Sequence, residues 1–85
     1  MNIQIEPHTL QRAVERGATE NEIKETINTG VNILAKSGRL GKSKSFSFAA
    51  NRNGKYFEEK KLEVYYVIEN NSIITITVYV FYGKF

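Results

Sequence analysis

Three basic residues near the start of the chain have a spacing that could place them together in a catalytic site. His8, Arg12 and Arg16 are spaced at i, i+4 and i+8, so on a helix they project from nearly the same side. A neutral imidazole can act as a general base, and two guanidinium groups can hold a phosphate. The alternative is an exposed polar face in which the arginines pair with Glu15 or Glu20. Spacing alone favours that alternative, because basic residues four positions apart are common on helices.

A second candidate group lies in the last third of the chain. Lys60 and Lys61 precede a long alternating segment, and strand parity places Lys61 on the same face as Tyr65, Thr77 and Tyr79. A lysine among hydroxyl groups could neutralise the charge that develops on a cleaved phosphodiester. Parity places Lys60 on the opposite face, and either lysine could be the site lysine. The alternative is that both keep an exposed strand end from pairing with other chains.

Positive charge is concentrated in the middle of the chain. The net charge is +3, yet residues 36–61 carry eight basic and two acidic side chains, a local charge of +6. Such a segment beside a hydroxyl-rich sheet face is typical of proteins that bind the phosphate backbone. The residues predicted to bind nucleic acid are Lys42, Lys44, Arg52 and Tyr65. The simpler alternative is a solvated loop that lysines keep soluble.

Composition excludes several classes of protein. The chain has no cysteine and a single histidine, so disulfides and thiolate metal sites are impossible and a zinc site is disfavoured. We expect no metal and no cofactor. The longest apolar run, residues 73–82, contains two threonines and is too short to span a bilayer. Residues 1–7 lack the pattern of a secretion signal, so a cytoplasmic protein without a membrane partner is expected.

Metal-free RNA cleavage is the reaction that fits these residues best. It uses the 2′-hydroxyl of the substrate as nucleophile, a base to take its proton, and cations around the phosphate. A second hypothesis is a non-catalytic module that binds nucleic acid or an acidic protein segment. A third is a homodimer joined through exposed aromatic residues such as Tyr79, Phe81 and Phe85.

The elements that position these residues begin with a β-hairpin over residues 62–82. Even-numbered residues from Leu62 are mostly aliphatic and predict a covered face, whereas odd-numbered residues carry hydroxyls and predict an open face. A two-residue loop would pair Ile68 with Ile73, which parity assigns to the wrong face. The sequence therefore predicts a three-residue loop, Asn70–Ser72, which pairs Ile68 with Ile74.

Two short amphipathic helices precede the strands. Pro7 suits the start of the first helix, Gly17 its end, and Leu10, Ala13 and Val14 its apolar stripe. The second helix begins with a capping box at Thr19, presents Ile23 and Ile27, and stops at Gly30. Residues 3–5 predict an extended arm, residues 31–34 a brief strand or the helix end, and residues 45–50 a third strand.

These elements predict one α+β domain over residues 1–85. The expected order is α-α-β-β-β, with both helices on one face of a three- to four-stranded antiparallel sheet.

Three segments resemble a known family: residues 8–17, the capped helix of residues 19–30, and the terminal strand pair around residues 62–64 and 76–79. Together they resemble a bacterial domain-of-unknown-function family related to RelE-type and BrnT-type toxins of the barnase-like/RelE-like ribonuclease assemblage. The resemblance implies a RelE-like fold, metal-independent endoribonuclease activity and an antitoxin partner.

By position, His8 and Arg16 match the helix signature of that family, and Thr77 matches the threonine of its terminal strand. The chain is less basic than RelE-type toxins usually are. A catalytic residue near the C-terminus is not identifiable beyond Tyr79 or Tyr82.

Overall fold

The sheet is larger than the sequence predicts and contains a parallel pair. The structure is a computed structural model that describes residues 1–85. Its elements are β1 (Asn2–Gln4), α1 (Pro7–Arg16), α2 (Glu20–Thr29), β2 (Val31–Ile33), β3 (Leu40–Arg52), β4 (Lys55–Glu69) and β5 (Ser72–Gly83). The strand order is β1-β5-β4-β3-β2, with β1 parallel to β5 and the other pairs antiparallel. The protein is therefore an α+β structure with two helices and a five-stranded mixed sheet.

The prediction of a purely antiparallel sheet of three to four strands is therefore wrong. Both additional strands, β1 and β2, are three residues long and lie at the sheet edges. A segment this short shows too little alternation to identify a strand, so its pairing depends on the neighbouring long strand. Neither helix is long and apolar enough to cross a membrane.

Both helices pack on one face of the sheet, around one hydrophobic core. The core contains Ala13, Ala18, Ile23, Ile27, Leu62, Val64, Tyr66, Ile73 and Val78. The even-numbered residues Leu62, Val64 and Tyr66 of β4 are all buried, as the alternation predicts. The odd-numbered face of the same strand is left without a helix.

Helix α1 begins and ends as predicted but is rotated about its axis. Its last turn closes on Gly17, which has φ 89° and donates its N–H to the Ala13 carbonyl at 2.8 Å. The buried residues are Thr9 and Ala13, whereas Leu10 and Val14 are 39% and 74% exposed. The predicted apolar stripe is therefore only partly correct, because polar side chains of α1 contact β5 and turn the helix towards that strand.

Helix α2 follows the sequence signals closely. The Thr19 hydroxyl accepts from the Glu22 N–H at 3.1 Å, and the Glu22 carboxylate accepts from the Thr19 N–H at 2.9 Å. This is the reciprocal capping box that the sequence predicts. Ile23 and Ile27 are buried against the sheet.

The turn of the β4–β5 hairpin differs from the prediction. Asn70 and Asn71 form a two-residue turn with φ values of 49° and 63°, and Ile68 pairs with Ile73. Asparagine tolerates left-handed backbone better than most residues, and two successive positive φ values are typical of a type I′ hairpin turn. The predicted three-residue loop is wrong.

A β-bulge compensates for the parity mismatch that this turn creates. Tyr65 pairs with Thr77 but Tyr66 pairs with Thr75, so Ile76 is an additional residue on β5. Beyond the bulge the predicted register holds, with Glu63 opposite Tyr79. On β5 the buried side therefore changes from odd-numbered to even-numbered residues at Ile76.

Candidate functional site at the free edge of strand β5

The outer edge of β5 has no strand partner over most of its length. Strand β1 pairs only with residues 72–74, and helix α1 lies beside the remainder. Two polar side chains of α1 reach this edge. His8 Nε2 lies 2.7 Å from the Ile76 carbonyl oxygen, and Arg16 Nη1 donates to the Val78 carbonyl at 2.6 Å.

The hydrogen bond of His8 determines which of its ring nitrogens carries a proton. A carbonyl oxygen can only accept, so Nε2 must donate. In the neutral ring Nδ1 is then left as an acceptor, and the side chain is exposed to solvent. A base held by one nitrogen with the other free is the arrangement that general base catalysis requires.

Arg16 extends around the edge of the sheet to the face opposite the helices. Its Cζ lies 5.0 Å from the ring centroid of Tyr79, whose side chain is on the open face. Tyr79 contacts Tyr65 edge-to-face at 6.0 Å between centroids, and Thr77 is the direct partner of Tyr65. We call His8, Arg16, Thr77, Tyr79 and Tyr65 the β5 edge cluster.

Tyr65 is held as a protonated hydroxyl. It donates to Glu63 Oε1 at 3.1 Å. Burial raises the pKa of Tyr65 above its ordinary value, and the hydrogen bond to Glu63 and the charges of Glu63 and Tyr79 raise the pKa further. Since Glu63 takes the only proton of this hydroxyl, its oxygen can accept a hydrogen bond from a ligand, but it is unsuited to act as a base.

Arg12 does not reach β5. Its Nη1 pairs with Glu15 Oε1 at 3.1 Å, and both side chains are about half exposed. The alternative that the arginines pair with acidic residues is thus correct for Arg12 and wrong for Arg16.

The two candidate lysines lie on opposite faces of the sheet and have different roles. Lys60 is 7% exposed, and its Nζ donates to the Gly17 carbonyl at 2.7 Å and to Glu22 Oε1 at 2.8 Å. These contacts join the end of α1 to the start of α2, so Lys60 is a structural residue that a substrate cannot reach. Lys61 lies on the open face, 4.8 Å from the ring centroid of Phe85.

Lys61 is therefore the only one of the two that shares a face with the β5 edge cluster. Its direct partner is Phe81, two residues along β5 from Tyr79.

Comparison with protein-family models shows that residues 5–80 match the family described as a domain of unknown function, DUF4258. The chain belongs to this family. The predicted membership of a domain-of-unknown-function family is confirmed, but nothing in the match links it to RelE-type or BrnT-type toxins. No curated protein and no protein of solved structure matched the chain.

The matched part of this DUF4258 chain contains the whole β5 edge cluster, but the predicted nucleic-acid-binding residues are not brought together. Lys42 and Lys44 lie opposite Val64 and Leu62, so they are on the helix side of the sheet, away from Tyr65. Lys44 donates to the Thr29 hydroxyl at 2.7 Å.

Arg52 is also separated from Tyr65. It donates to the Glu15 carbonyl at 3.0 Å and lies over the Tyr82 ring at 4.8 Å. The structure therefore does not bring these basic residues together with Tyr65, and their predicted binding of nucleic acid stays a prediction.

The sequence reasoning missed the acceptors of this DUF4258 site. The carbonyls of Ile76 and Val78 accept hydrogen bonds from His8 and Arg16. Every residue has a backbone carbonyl, so the residue types do not indicate which carbonyls act as acceptors. Glu63 was also missed as the partner of the Tyr65 hydroxyl, although the i, i+2 spacing of the two residues on one strand indicates a shared face.

The β5 edge cluster of this DUF4258 domain is a surface and not a cleft. Neither of the two surface cavities, of about 360 and 390 Å3, is lined by His8 or Arg16. No group of three or more His, Cys, Asp and Glu side chains is placed to hold a metal ion. An open strand edge suits a long polymeric ligand better than a small enclosed molecule.

Proposed function

We propose that this protein is a metal-independent endoribonuclease whose site is the β5 edge cluster. One observation carries the proposal. His8 is anchored through Nε2 to the Ile76 carbonyl, and its free Nδ1 lies on the strand edge that also holds the guanidinium of Arg16. A candidate base and a candidate phosphate ligand are thus held at carbonyls two residues apart, about 6.8 Å along the strand.

In the proposed reaction the 2′-hydroxyl of RNA attacks the adjacent phosphorus. His8 Nδ1 takes the hydroxyl proton as the new O–P bond forms, and the bond from phosphorus to the 5′-oxygen breaks. Arg16 balances the additional negative charge on the phosphate oxygens. The departing 5′-oxygen takes a proton from water or from the protonated imidazole, which leaves a 2′,3′-cyclic phosphate and a 5′-hydroxyl.

The other members of the cluster orient the substrate. Tyr79 and Tyr65 offer aromatic surface on which bases can stack, and the Thr77 hydroxyl can bind the sugar or phosphate. Arg12 and Lys61 lie outside the cluster and add positive charge along the path of the strand. In this proposal the fold is RelE-like, an antitoxin protein controls the activity, and the protein acts in the cytoplasm.

His8→Ala is the decisive variant. We expect it to lower RNA cleavage by a factor of about 100 or more, because general base catalysis typically contributes that much. The expected loss of unfolding free energy is below about 1 kcal/mol, because only one solvent-exposed hydrogen bond is removed. The assay uses labelled single-stranded RNA with purified protein, with and without ribosomes, and Gln11→Ala as the matched control on an exposed position of the same helix.

Two results would contradict the proposal. One is wild-type protein that leaves RNA intact under both conditions, and the other is His8→Ala protein that cleaves at the wild-type rate. Bacterial growth during expression of wild-type and His8→Ala protein gives an independent readout of toxicity.

The second candidate function is a non-catalytic module that binds nucleic acid or protein, either as a monomer or as a homodimer. The burial of Lys60 favours it, because that lysine is bound to Glu22 and Gly17 and cannot assist His8. This function predicts salt-sensitive nucleic-acid binding that survives His8→Ala and weakens with Lys61→Ala.

A further inference from the structure

Strand β3 has a free edge on the side of the sheet opposite the β5 edge cluster. Strand β2 pairs only with Gly41–Ser43 of β3, and the regular pairing of β3 with β4 continues to Ser47. A register shift and the positive φ of Ala49, 47°, end that regular stretch. We propose that residues 44–47, the β3 edge, bind an extended acidic segment of a partner protein as an additional β-strand.

The backbone direction along this edge follows from the contact of Ser43 with Gly30. A Cβ built on Gly30 would lie 2.6 Å from the Ser43 carbonyl oxygen, so this carbonyl points away from β4 towards the chain that leaves α2. Backbone groups of alternate residues point to the same side of a strand. Ser45 and Ser47 therefore present their N–H and C=O groups outward, where a further strand could pair with them.

The side chains at the edge leave room for such a strand. Ser45 and Ser47 are small and exposed, and neither Lys44 nor Phe46 is fully buried on the helix side. A cavity of about 360 Å3 lies at the beginning of the edge, lined by Thr29, Gly30, Val31, Ser43, Lys44, Ser45 and Lys61. It is large enough to take a side chain of the added strand.

The lysines near the β3 edge indicate that the partner segment is acidic. The cavity at the beginning of the edge is lined by two lysines, Lys44 and Lys61, and by no carboxylate. Lys44 lies on the helix face of the edge, and Lys61 lies on the open face directly opposite Ser45. An added strand with acidic side chains would therefore find a lysine on each face of the sheet.

Three carboxylates lie near the edge. Glu25 pairs with Lys44 at 3.3 Å, Glu59 accepts from the Phe85 N–H at 2.6 Å, and Glu63 accepts from the Tyr65 hydroxyl. None of the three lines the cavity, and Lys61 has no carboxylate partner, so an acidic side chain in the cavity would meet Lys61 and compete with Glu25 for Lys44.

A second copy of this chain is a poorer occupant than an acidic peptide. Self-pairing through the β3 edge would bring two basic segments together, and like charges on adjacent strands destabilise pairing. RNA is also a poorer occupant, because alternating backbone donors and acceptors match another extended peptide chain.

The experiment uses isotope-labelled full-length protein and a capped peptide of alternating Glu and Val as the probe. We expect the amide signals of Ser45 and Ser47 to shift and to become protected from hydrogen exchange, while those of Thr77 and Tyr79 stay unchanged. A peptide of alternating Lys and Val is the matched probe of opposite charge. It should bind at least about tenfold more weakly, because it would meet lysines on both faces.

Variants at one position then separate the backbone from the side chain. Ser47→Pro removes the outward N–H, and we expect it to weaken binding of the Glu/Val peptide about tenfold through the lost hydrogen bond. Ser47→Ala keeps the N–H and should bind as the wild type does. Circular dichroism shows whether both variants remain folded, and the exchange measurement on wild-type protein tests the proposal without any variant.

Several outcomes would overturn the proposal: unchanged Ser45 and Ser47 amides at millimolar probe, equal binding of both peptides, single-stranded RNA that shifts these amides in place of the peptide, or concentration-dependent dimers that protect them. RNA cleavage is not required for the expected result. His8→Ala, on the opposite edge, should leave peptide binding unchanged, so this inference and the proposed function can fail separately.

Discussion

At the scale of single residues, Lys60 shows how burial decides the role of a charge. Its ammonium group bridges the carbonyl that ends α1, on Gly17, and the carboxylate of Glu22 in the first turn of α2. Glu22 Oε1 thereby accepts two hydrogen bonds, one from Lys60 and one from the Thr19 N–H. Lys61, the next residue, makes only aromatic contacts on the open face. Two adjacent lysines thus have different roles, because successive side chains of a strand point to opposite faces of the sheet.

Replacing Lys60 should therefore be far more costly than replacing Lys61. We expect Lys60→Met to lower the free energy of unfolding by about 2 kcal/mol, because it removes the side-chain donor of the Gly17 carbonyl and one of the two donors of the Glu22 carboxylate. Lys61→Met is the control and should change it by less than about 0.5 kcal/mol. Urea denaturation of both variants provides the measurement. Equal effects of the two substitutions would show that Lys60 does not join the helices.

At the scale of elements, the β4–β5 hairpin shows how a turn and a bulge act together. The Asn70-Asn71 turn would by itself place the wrong residues of β5 on the buried face. The additional residue Ile76 shifts the strand by one position, so that both Ile73 and Val78 are buried. Ile76, whose carbonyl accepts from His8, is the additional residue of the bulge, so the bulge contributes a backbone group to the candidate site.

The identity of the turn can be tested by substitution. Asn71→Ala should lower the free energy of unfolding by about 1 kcal/mol, because a Cβ without a hydrogen-bonding side chain disfavours positive φ. Asn71→Gly should not lower it, because glycine adopts positive φ without steric cost. Ser72→Ala is the control and should change stability little, since Ser72 is the first residue of β5. Thermal denaturation that showed a larger loss for Ser72→Ala would instead support a three-residue loop.

At the scale of the whole molecule, strands β5 and β3 each have an outer edge that lacks a strand partner over part of its length. The structure is elongated, with principal extents of 43 × 23 × 21 Å. His8 and Arg16 of α1 bind the β5 edge. The β3 edge has exposed serines, with Lys44 and Lys61 nearby. Between the edges lie the core residue Tyr66 and the partly buried Tyr82, and these two tyrosines connect global stability to pH.

Stability should decline in alkaline solution. Burial raises the pKa of Tyr66 above 10.0, the ordinary tyrosine value, and burial with the charge of Glu22 raises that of Tyr82 despite the opposing effect of Arg52. The native state therefore holds its tyrosine protons more tightly than the unfolded state does. This contribution is complete below the ordinary value and is lost as the pH rises through the native values.

Urea denaturation between about pH 8 and pH 11 should thus show a falling free energy of unfolding above about pH 10. Tyr66→Phe should reduce the slope, whereas Tyr56→Phe, at a position 57% exposed, should leave it unchanged. An unchanged slope in Tyr66→Phe would contradict the contribution of this buried hydroxyl.

Local signals in the sequence determined much of the architecture. Pro7, the capping box at Thr19 and Gly17 mark helix ends because each satisfies or terminates hydrogen bonds within a few residues of itself. Alternation along β4 identifies its buried face because side chains of one strand point to alternate sides. None of these features requires knowledge of a distant residue.

Only the tertiary structure decided the composition of the candidate site. The rotation of α1 depends on the Ile76 and Val78 carbonyls, which lie more than sixty residues away from His8 and Arg16 and belong to the backbone. The bulge at Ile76 moves residues by one position, and a one-residue shift reverses the face of every side chain beyond it. The pairing of β1 and β2 likewise depends on long strands elsewhere in the chain. Residue types and their spacing carry no record of these long-range backbone contacts, so the sequence could name the chemical groups but not which of them meet.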